Sequence, residues 1–562
     1  APSFSSFSAG EISPLLEGRT GLEKYKEGLA DLTNMIVMPT GGTKRRPGTE
    51  YLGEVKTSSV KSRLIPFQFK STDTYILEFG NEIMRVYRNG AQVLNATAKT
   101  ITAATKASPG VLTSNSHGFS NGDEIFIASV GGMTELNGRN YRVANSTTNT
   151  FTLTDLFGVA INTTSFTTYT SGGTATEIFE LATPYPEAKL PDVRFVQSAD
   201  TMYFVHPEYA IRTLTRSDHN NWTFATPSIS GSPSPALNTS GNYPSVVTFF
   251  EQRLVFANTA ANPQTIWFSK NADYTNFTVG TGDNDALIYT IASNTVDSIR
   301  YLSSTRVLAI GTTGGEFVLT STNDGPVTPT TTLIRKYSNY GTANVEPVQV
   351  ADVTLFLQRG ARKVREFKFV GDVNTSGYAA PDMTILAEHI SQGGITQFAY
   401  QQEPESIVWA LRSDGTLLGL TYRREEEVVG WHKHTIGGVF GTGQAIVESI
   451  APLPTDTGND DLYLIVKRTI NSQTKRYVEV LKPFDFGSVT TAAFFVDSGL
   501  AYSGSAVTSL SGLYHLEGQS VAILANGATH PDETVSGGGI TLDYSSTTAA
   551  VGFSYTSEMQ TM

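Results

Sequence analysis

Cysteine is absent from this 562-residue chain. That excludes disulfides and thiolate metal sites, so stability has to come from buried area or from association. Charged residues are scarce at 16%, and the acids outnumber the bases for a formal net charge of −12. Gripping nucleic acid takes clustered Lys and Arg to neutralise phosphate, and this balance argues against such a surface. No stretch approaches the roughly 18 uninterrupted apolar residues of a membrane helix, and the N-terminus lacks a charged region followed by an apolar one. A soluble, untargeted protein with no membrane insertion is expected. No phosphate-cradling Gly-x-x-x-x-Gly-Lys-Ser/Thr occurs, and no pair of acids stands out for glycoside hydrolysis. The reading is a non-enzymatic chain without catalytic residues or cofactors.

What the chain does contain is 39% hydrophobic and 10% aromatic residues, 51 glycines, and an abundance of Thr, Ser, Asn and Val that favours strands and turns. An all-β protein of two or three domains follows. The one helical pattern lies early, with Leu22, Tyr25, Leu29, Leu32 and Ile36 at three- and four-residue spacing. It leads into Gly41-Gly42-Thr43-Lys44-Arg45-Arg46-Pro47-Gly48, the densest basic cluster, read as a docking loop within an N-terminal segment 1–60.

From Ser62 onward one unit recurs: an alternating apolar strand, a polar turn, a second strand and commonly a third. Arg63-Leu-Ile-Pro-Phe followed by Tyr75-Ile-Leu-Glu-Phe shows it first, and copies begin near Val193, Val246, Val296, Pro347, Ser406 and Ile446. About seven small antiparallel sheets at irregular spacing predict a propeller-like platform over 61–98 and 182–483. Two segments interrupt the series. A Thr/Ser/Asn/Gly-rich block over 99–181 reads as a small inserted β domain, and the changed texture over 484–562 as a C-terminal β-sandwich-like domain.

Metal candidates are few. His432 and His434 in Gly430-Trp-His-Lys-His share one face of a strand, with Glu425, Glu426 and Glu427 across a turn, yet lack an obvious third ligand. Solvated histidines on a strand edge are the simpler reading. Asp273, Asp283 and Asp285, and likewise Asp456, Asp460 and Asp461, lack the spacing of a calcium loop and read as turns. The Asn-x-Ser/Thr triplets at Asn95, Asn145, Asn162, Asn221, Asn238, Asn276 and Asn374 read as chance in so Asn/Thr-rich a chain.

Several short motifs in order carry a resemblance. Phe7-Ser-Ala-Gly-Glu-Ile-Ser-Pro-Leu-Leu-Glu-Gly-Arg19, Asn34 and Gly41-Gly-Thr-Lys-Arg-Arg-Pro-Gly-Thr-Glu-Tyr51 come first. Glu251-Gln-Arg-Leu-Val-Phe-Ala257, Asp382-Met-Thr-Ile-Leu-Ala-Glu-His389, Gln402-Glu-Pro404 and Gly430-Trp-His-Lys-His434 follow. In this the chain resembles the tail nozzle proteins (tail tubular protein B) of short-tailed bacteriophages. The resemblance implies a virion tail protein, assembled in the bacterial host cytoplasm as a homo-oligomer, a hexamer below the portal and adaptor. It would carry tail fibres and let viral DNA pass without sequence-specific binding; Lys44, Arg45 and Arg46 are the expected adaptor contacts. Block 99–181 resembles the small β module related to the first catalytic cysteine half-domain of ubiquitin-activating enzyme, and without cysteine none of that chemistry can follow. The alternative reading is a carbohydrate-binding or glycan-cleaving propeller of a virus or bacterial surface; a fibre protein would be a trimer.

Overall fold

The computed structural model describes residues 6–231, 236–293, 295–322, 325–372 and 375–562. Its centre is a ring of seven antiparallel sheets of four main strands each, the blades of a β-propeller. Blade one is Arg63–Lys70, Asp73–Gly80, Ile83–Arg88 and, after an excursion of some ninety residues, Glu180–Ala182. Blades two to six follow in chain order with first strands Arg194–Ser198, Val246–Phe250, Ile299–Ser304, Val348–Val350 and Ile395–Gln401. Blade seven takes Ile446–Pro454, Asp460–Ile470 and Gln473–Leu481, and its fourth strand, Thr49–Glu54, comes from the other end of the chain.

A four-stranded sheet with two apolar faces is stable only when both are covered, and the ring supplies a neighbour on each side. Seven buried apolar clusters lie between successive blades. Phe67 and Leu77 meet Met202 and Phe204 between blades one and two, and Val205 and Ile211 meet Leu254 and Phe256 between two and three. Val255 and Phe268 pack on Ile310 and Leu319, Tyr301 and Val318 on Phe356 and Phe367, Leu355 and Val364 on Val408 and Leu420. Trp409 and Leu417 face Val447 and Leu464 between six and seven. The circuit closes with Leu64 and Ile76 of blade one against Leu453, Ile465 and Val478 of blade seven. Each interface resembles a close-packed core, so Ile310→Val, deleting one fully buried methylene between blades three and four, is expected to cost about 1 kcal/mol. Urea unfolding followed by tryptophan fluorescence checks this.

The helical expectation around Leu22 to Ile36 holds for one turn only. Glu23–Glu27 is a short 3-10 helix, and Gly28–Thr33 and Met35–Val37 continue as strands. Leu29, Leu32 and Ile36 are buried as the spacing suggested, but tertiary pairing overrides the helical period. Gly28–Thr33 lies between the short strand Gly10–Glu11, with which it runs parallel, and Glu558–Thr561 near the C-terminus. Gly10 sits at φ +62° against blade six, where a Cβ would run into the backbone of Trp431, so only glycine lets this strand dock.

The excursion from blade one folds as seven short strands, from Lys99–Thr100 to Thr174–Glu177, around its own core of Ile125, Ile127, Tyr141 and Phe151. Beyond blade seven, Asp497–Ser511 pairs with Thr49–Glu54 and with Gly539–Phe553, so the C-terminal strands extend the sheet of blade seven around their own apolar cluster. Among the described residues no helix is long and apolar enough to cross a membrane. Asn374 lies outside the described residues.

Candidate functional site

The motifs that carry the resemblance are far apart in sequence; that at Glu251–Ala257 lies in blade three, while those of the N-terminal segment, Asp382–His389 and Gly430–His434 meet beside the last strand of blade six. Glu11, 1% exposed, takes His389 Nε2 at 2.8 Å and Lys433 Nζ at 3.1 Å on its carboxylate, and the Leu32 N–H donates to it at 2.9 Å. Burial alone would raise its pKa; His389 and Lys433 outweigh that and hold it below the usual range. Lys433 also pairs with Asp31 at 2.8 Å. Asn34 donates its backbone N–H to Lys433 O and its side-chain amide to Thr435 Oγ1.

Of the three expected docking cations, the structure leaves one exposed. Thr43–Arg45 is a short strand paired with Met35–Val37, and Arg45 rests on the rings of Phe495 and Tyr555. Lys44 is ion-paired with Glu405 and lies over Phe484. Arg46 is fully buried, bonded bidentately to Asp497 at 3.0 and 2.8 Å and stacked under Tyr555 at 4.1 Å. The expectation of a partner contact at Arg46 is therefore corrected: a guanidinium placed where the N-terminal strands, blade six and the C-terminal unit converge finds a carboxylate inside the protein.

His432 and His434 correct the reading of solvated edge histidines. They do share a face, but the edge is covered by Gly10–Glu11, and Met35–Val37 and the ring of Trp409 pack beside the pair. They are 0% and 1% exposed, and His432 Nδ1 lies 2.7 Å from His434 Nε2. Burial pushes His432 down to about 3 and His434 well below the ordinary range. The aspartates serve their turns. Arg253 donates to the backbone carbonyls of Asp283 and Asp285, Asp285 pairs with Lys270 at 3.0 Å, and Asp460 accepts the Gln402 N–H at 2.7 Å. Burial pushes Asp461 up to about 6. Among the described residues no group of three or more His, Asp or Glu is arranged as a metal ion would need.

Two of the concave regions bring charged side chains together. At one end of the ring the first strands of five blades line a cavity of about 700 Å³. Arg63 and Arg194 lie side by side there, each spent on backbone carbonyls: Arg63 on Leu190 and Val193, Arg194 on Pro191 and Asn344. Burial, then the like charge of Arg194, brings Arg63 down to about 10.

The second lies where blade one, the inserted domain, blade seven and the C-terminal unit converge. Its floor is a buried charge network. Arg85 holds Glu124 at 3.0 Å and Glu180 at 2.6 Å, while Lys475 holds Glu54 at 3.0 Å. Glu78, fully enclosed beside them, is pushed by burial up to about 7. Above this network opens a cavity of about 330 Å³ lined by Tyr51, Gln92, Arg139, Asn140, Phe157 and Tyr514, among others.

Residues 108–178 match the ubiquitin-activating enzyme E1 FCCH domain. The match spans the body of the inserted domain and stops short of the propeller. Among curated proteins none matches the chain. Among solved structures, Hsv2 of Kluyvelomyces marxianus is similar at 8% identity, covering 49% of this chain and 72% of that one with a TM-score of 0.28. At that score the likeness carries no argument, and the propeller assignment rests on the strand order and the closed circuit of interfaces.

Of the named cavity residues the sequence motifs include Tyr51 alone. Arg139 lies in the block 99–181 and Tyr514 in the block 484–562, and nothing local brings the two together.

Proposed function

We infer that this chain is a structural subunit of a short bacteriophage tail, a nozzle through which genomic DNA leaves and on which adaptor and fibres mount. One observation carries the reading: the N-terminal motifs of the resemblance interlock with those at Asp382–His389 and Gly430–His434. Glu11 joins His389 and Lys433, Asn34 joins Lys433 and Thr435, and Arg46 donates to Asn34 at 3.3 Å. A rigid closed ring of sheets suits a scaffold that repeats around an axis through a heterologous interface. An acidic chain suits a conduit, because fixed cations would hold passing DNA. Negative-stain images of the purified chain, alone and with the tail adaptor, are expected to show rings of about six copies, and a monomer that stays monomeric with adaptor overturns the reading.

The second reading, a carbohydrate-binding propeller of a virus or bacterial surface, is favoured by the aromatic cavity between the inserted domain and the C-terminal unit. A monomer with polysaccharide-dependent binding or cleavage would select it.

A further inference from the structure

The geometry points to the cavity between blade one, the inserted domain, blade seven and the C-terminal unit as a binding site for an acidic sugar, a pyranose bearing a carboxylate. This deepens the carbohydrate reading and is independent of the tail reading.

Three features carry it. The first is an unspent cation. The neighbouring cations are all engaged: Arg85 with Glu124 and Glu180, Lys475 with Glu54, and Arg142 near Glu54 at 4.0 Å. Arg139 has no carboxylate partner among the described residues. It is half-buried, and its guanidinium lies 3.3 Å from the ring centre of Tyr514 and 4.9 Å from that of Tyr141. The guanidinium is oriented by stacking on Tyr514 and by a hydrogen bond to the Tyr141 hydroxyl, and its remaining N–H groups match a carboxylate bidentately.

The second is a set of aromatic walls. Tyr51 is stacked on His515 with ring centres 3.9 Å apart and meets Tyr477 edge-on at 5.0 Å. Phe126 and Phe157 line the same cavity and are half-buried. Rings that keep a face toward a cavity offer the apolar platform on which the C–H face of a pyranose packs, with the polar edges of the sugar left for hydrogen bonds.

The third is a pair of amides at the rim. Asn140 Nδ2 donates to Gln92 Oε1 at 2.7 Å and to Glu124 at 3.1 Å, and Gln92 Nε2 donates to Tyr87 at 3.0 Å. This chain of bonds fixes both amides and leaves Asn140 Oδ1 as an acceptor and one Gln92 N–H as a donor, the complement of a sugar hydroxyl. The volume of about 330 Å³ stands at the lower end of small-molecule sites, room for one or two sugar rings.

The probe is methyl β-D-glucuronoside, with methyl β-D-glucoside as its neutral control. Ligand-observed NMR titration of the full chain is expected to give saturable binding of the glucuronoside at least tenfold tighter than of the glucoside. Arg139→Leu should weaken the glucuronoside at least tenfold and leave the glucoside unchanged, while Arg139→Lys, charged but without the fork, should fall between. Unchanged circular dichroism and melting temperature certify the variants, and Asn140→Asp, which adds repulsion at the rim, gives a second route to the same loss. Equal affinity for the two glycosides, binding indifferent to Arg139, no saturable glucuronoside binding, or equal competition by acetate each overturns the site. Glycan binding by the whole chain that survives Arg139→Leu would keep the general carbohydrate reading and sink this site alone.

Discussion

Replacing Arg46 by alanine is expected to lower the unfolding free energy by about 3–5 kcal/mol, the usual cost of leaving one member of a buried ion pair without its partner. Asp497 is wholly buried, and besides the two guanidinium bonds it accepts the backbone N–H groups of Thr49 at 3.1 Å and Gly437 at 2.7 Å. Those two donors cannot neutralise a carboxylate sealed from water, so the charge becomes the dominant penalty. The same network reaches Glu479 through the Thr49 hydroxyl at 2.6 Å, and Glu479 is paired with the buried Arg468. The damage therefore falls where Thr49–Glu54 closes blade seven. Asp497→Asn should cost a similar amount by stranding Arg46, whereas Arg46→Met with Asp497→Leu should recover most of the loss, because two apolar side chains remove both desolvation penalties. Urea unfolding at constant pH measures all three. A loss under about 1 kcal/mol in the single variants would mean that water reaches Asp497.

The ring was legible in the sequence because its signal is local. Within each blade, alternation and turns lie a few residues apart, so Arg63–Lys70 with Asp73–Gly80, or Thr201–His206 with Tyr209–Asp218, announce themselves. What was hidden depends on pairing across the whole chain. Thr49–Glu54 looks like the tail of a docking loop until Gln473–Leu481 claims it. Ile395–Gln401, the first strand of blade six, alternates too weakly to stand out beside Ile407–Arg412. The segment from Gly28 to Val37 has helical spacing, yet two glycines, Gly21 and Gly28, and strand neighbours on both sides decide its conformation.

The candidate site was less legible for the same reason in stronger form. The density of Lys44, Arg45 and Arg46 is a property of three consecutive residues, but which of them reaches solvent depends on Asp497, Glu405 and Tyr555, hundreds of positions away. Charge density in sequence therefore overstated the surface charge here. Arg139 shows the converse: a lone cation in a Thr-rich block draws no notice, and becomes conspicuous only when every neighbouring cation proves to be paired.

Lowering the pH from about 6.5 toward 3 is expected to strip stability from the protein steeply, and the histidine pair of blade six sets much of the slope. In the folded state burial holds His432 neutral down to about 3 and depresses His434 well below its ordinary range. In the unfolded chain both protonate near 6.5. Their folded values are depressed, so below 6.5 the unfolded state binds more protons, and the neutral pair's contribution, intact above that pH, is lost as pH falls. Each histidine contributes roughly 1.4 kcal/mol per pH unit across that window, close to 3 kcal/mol per unit for the pair. Glu78 works in the opposite sense. Burial raises it to about 7, so between about 4.5 and 7 the folded state carries a proton the unfolded state has released, and its contribution weakens as pH rises. Comparing wild type with His432→Gln/His434→Gln cancels Glu78 and every other shared group. The wild-type curve of unfolding free energy against pH should be steeper than the variant's by roughly 3 kcal/mol per unit between pH 6 and 4, whatever the double substitution costs at neutral pH. Parallel curves would mean that the pair takes up protons within the fold, which requires water at the interface of blades six and seven where Trp409 and Leu464 now exclude it.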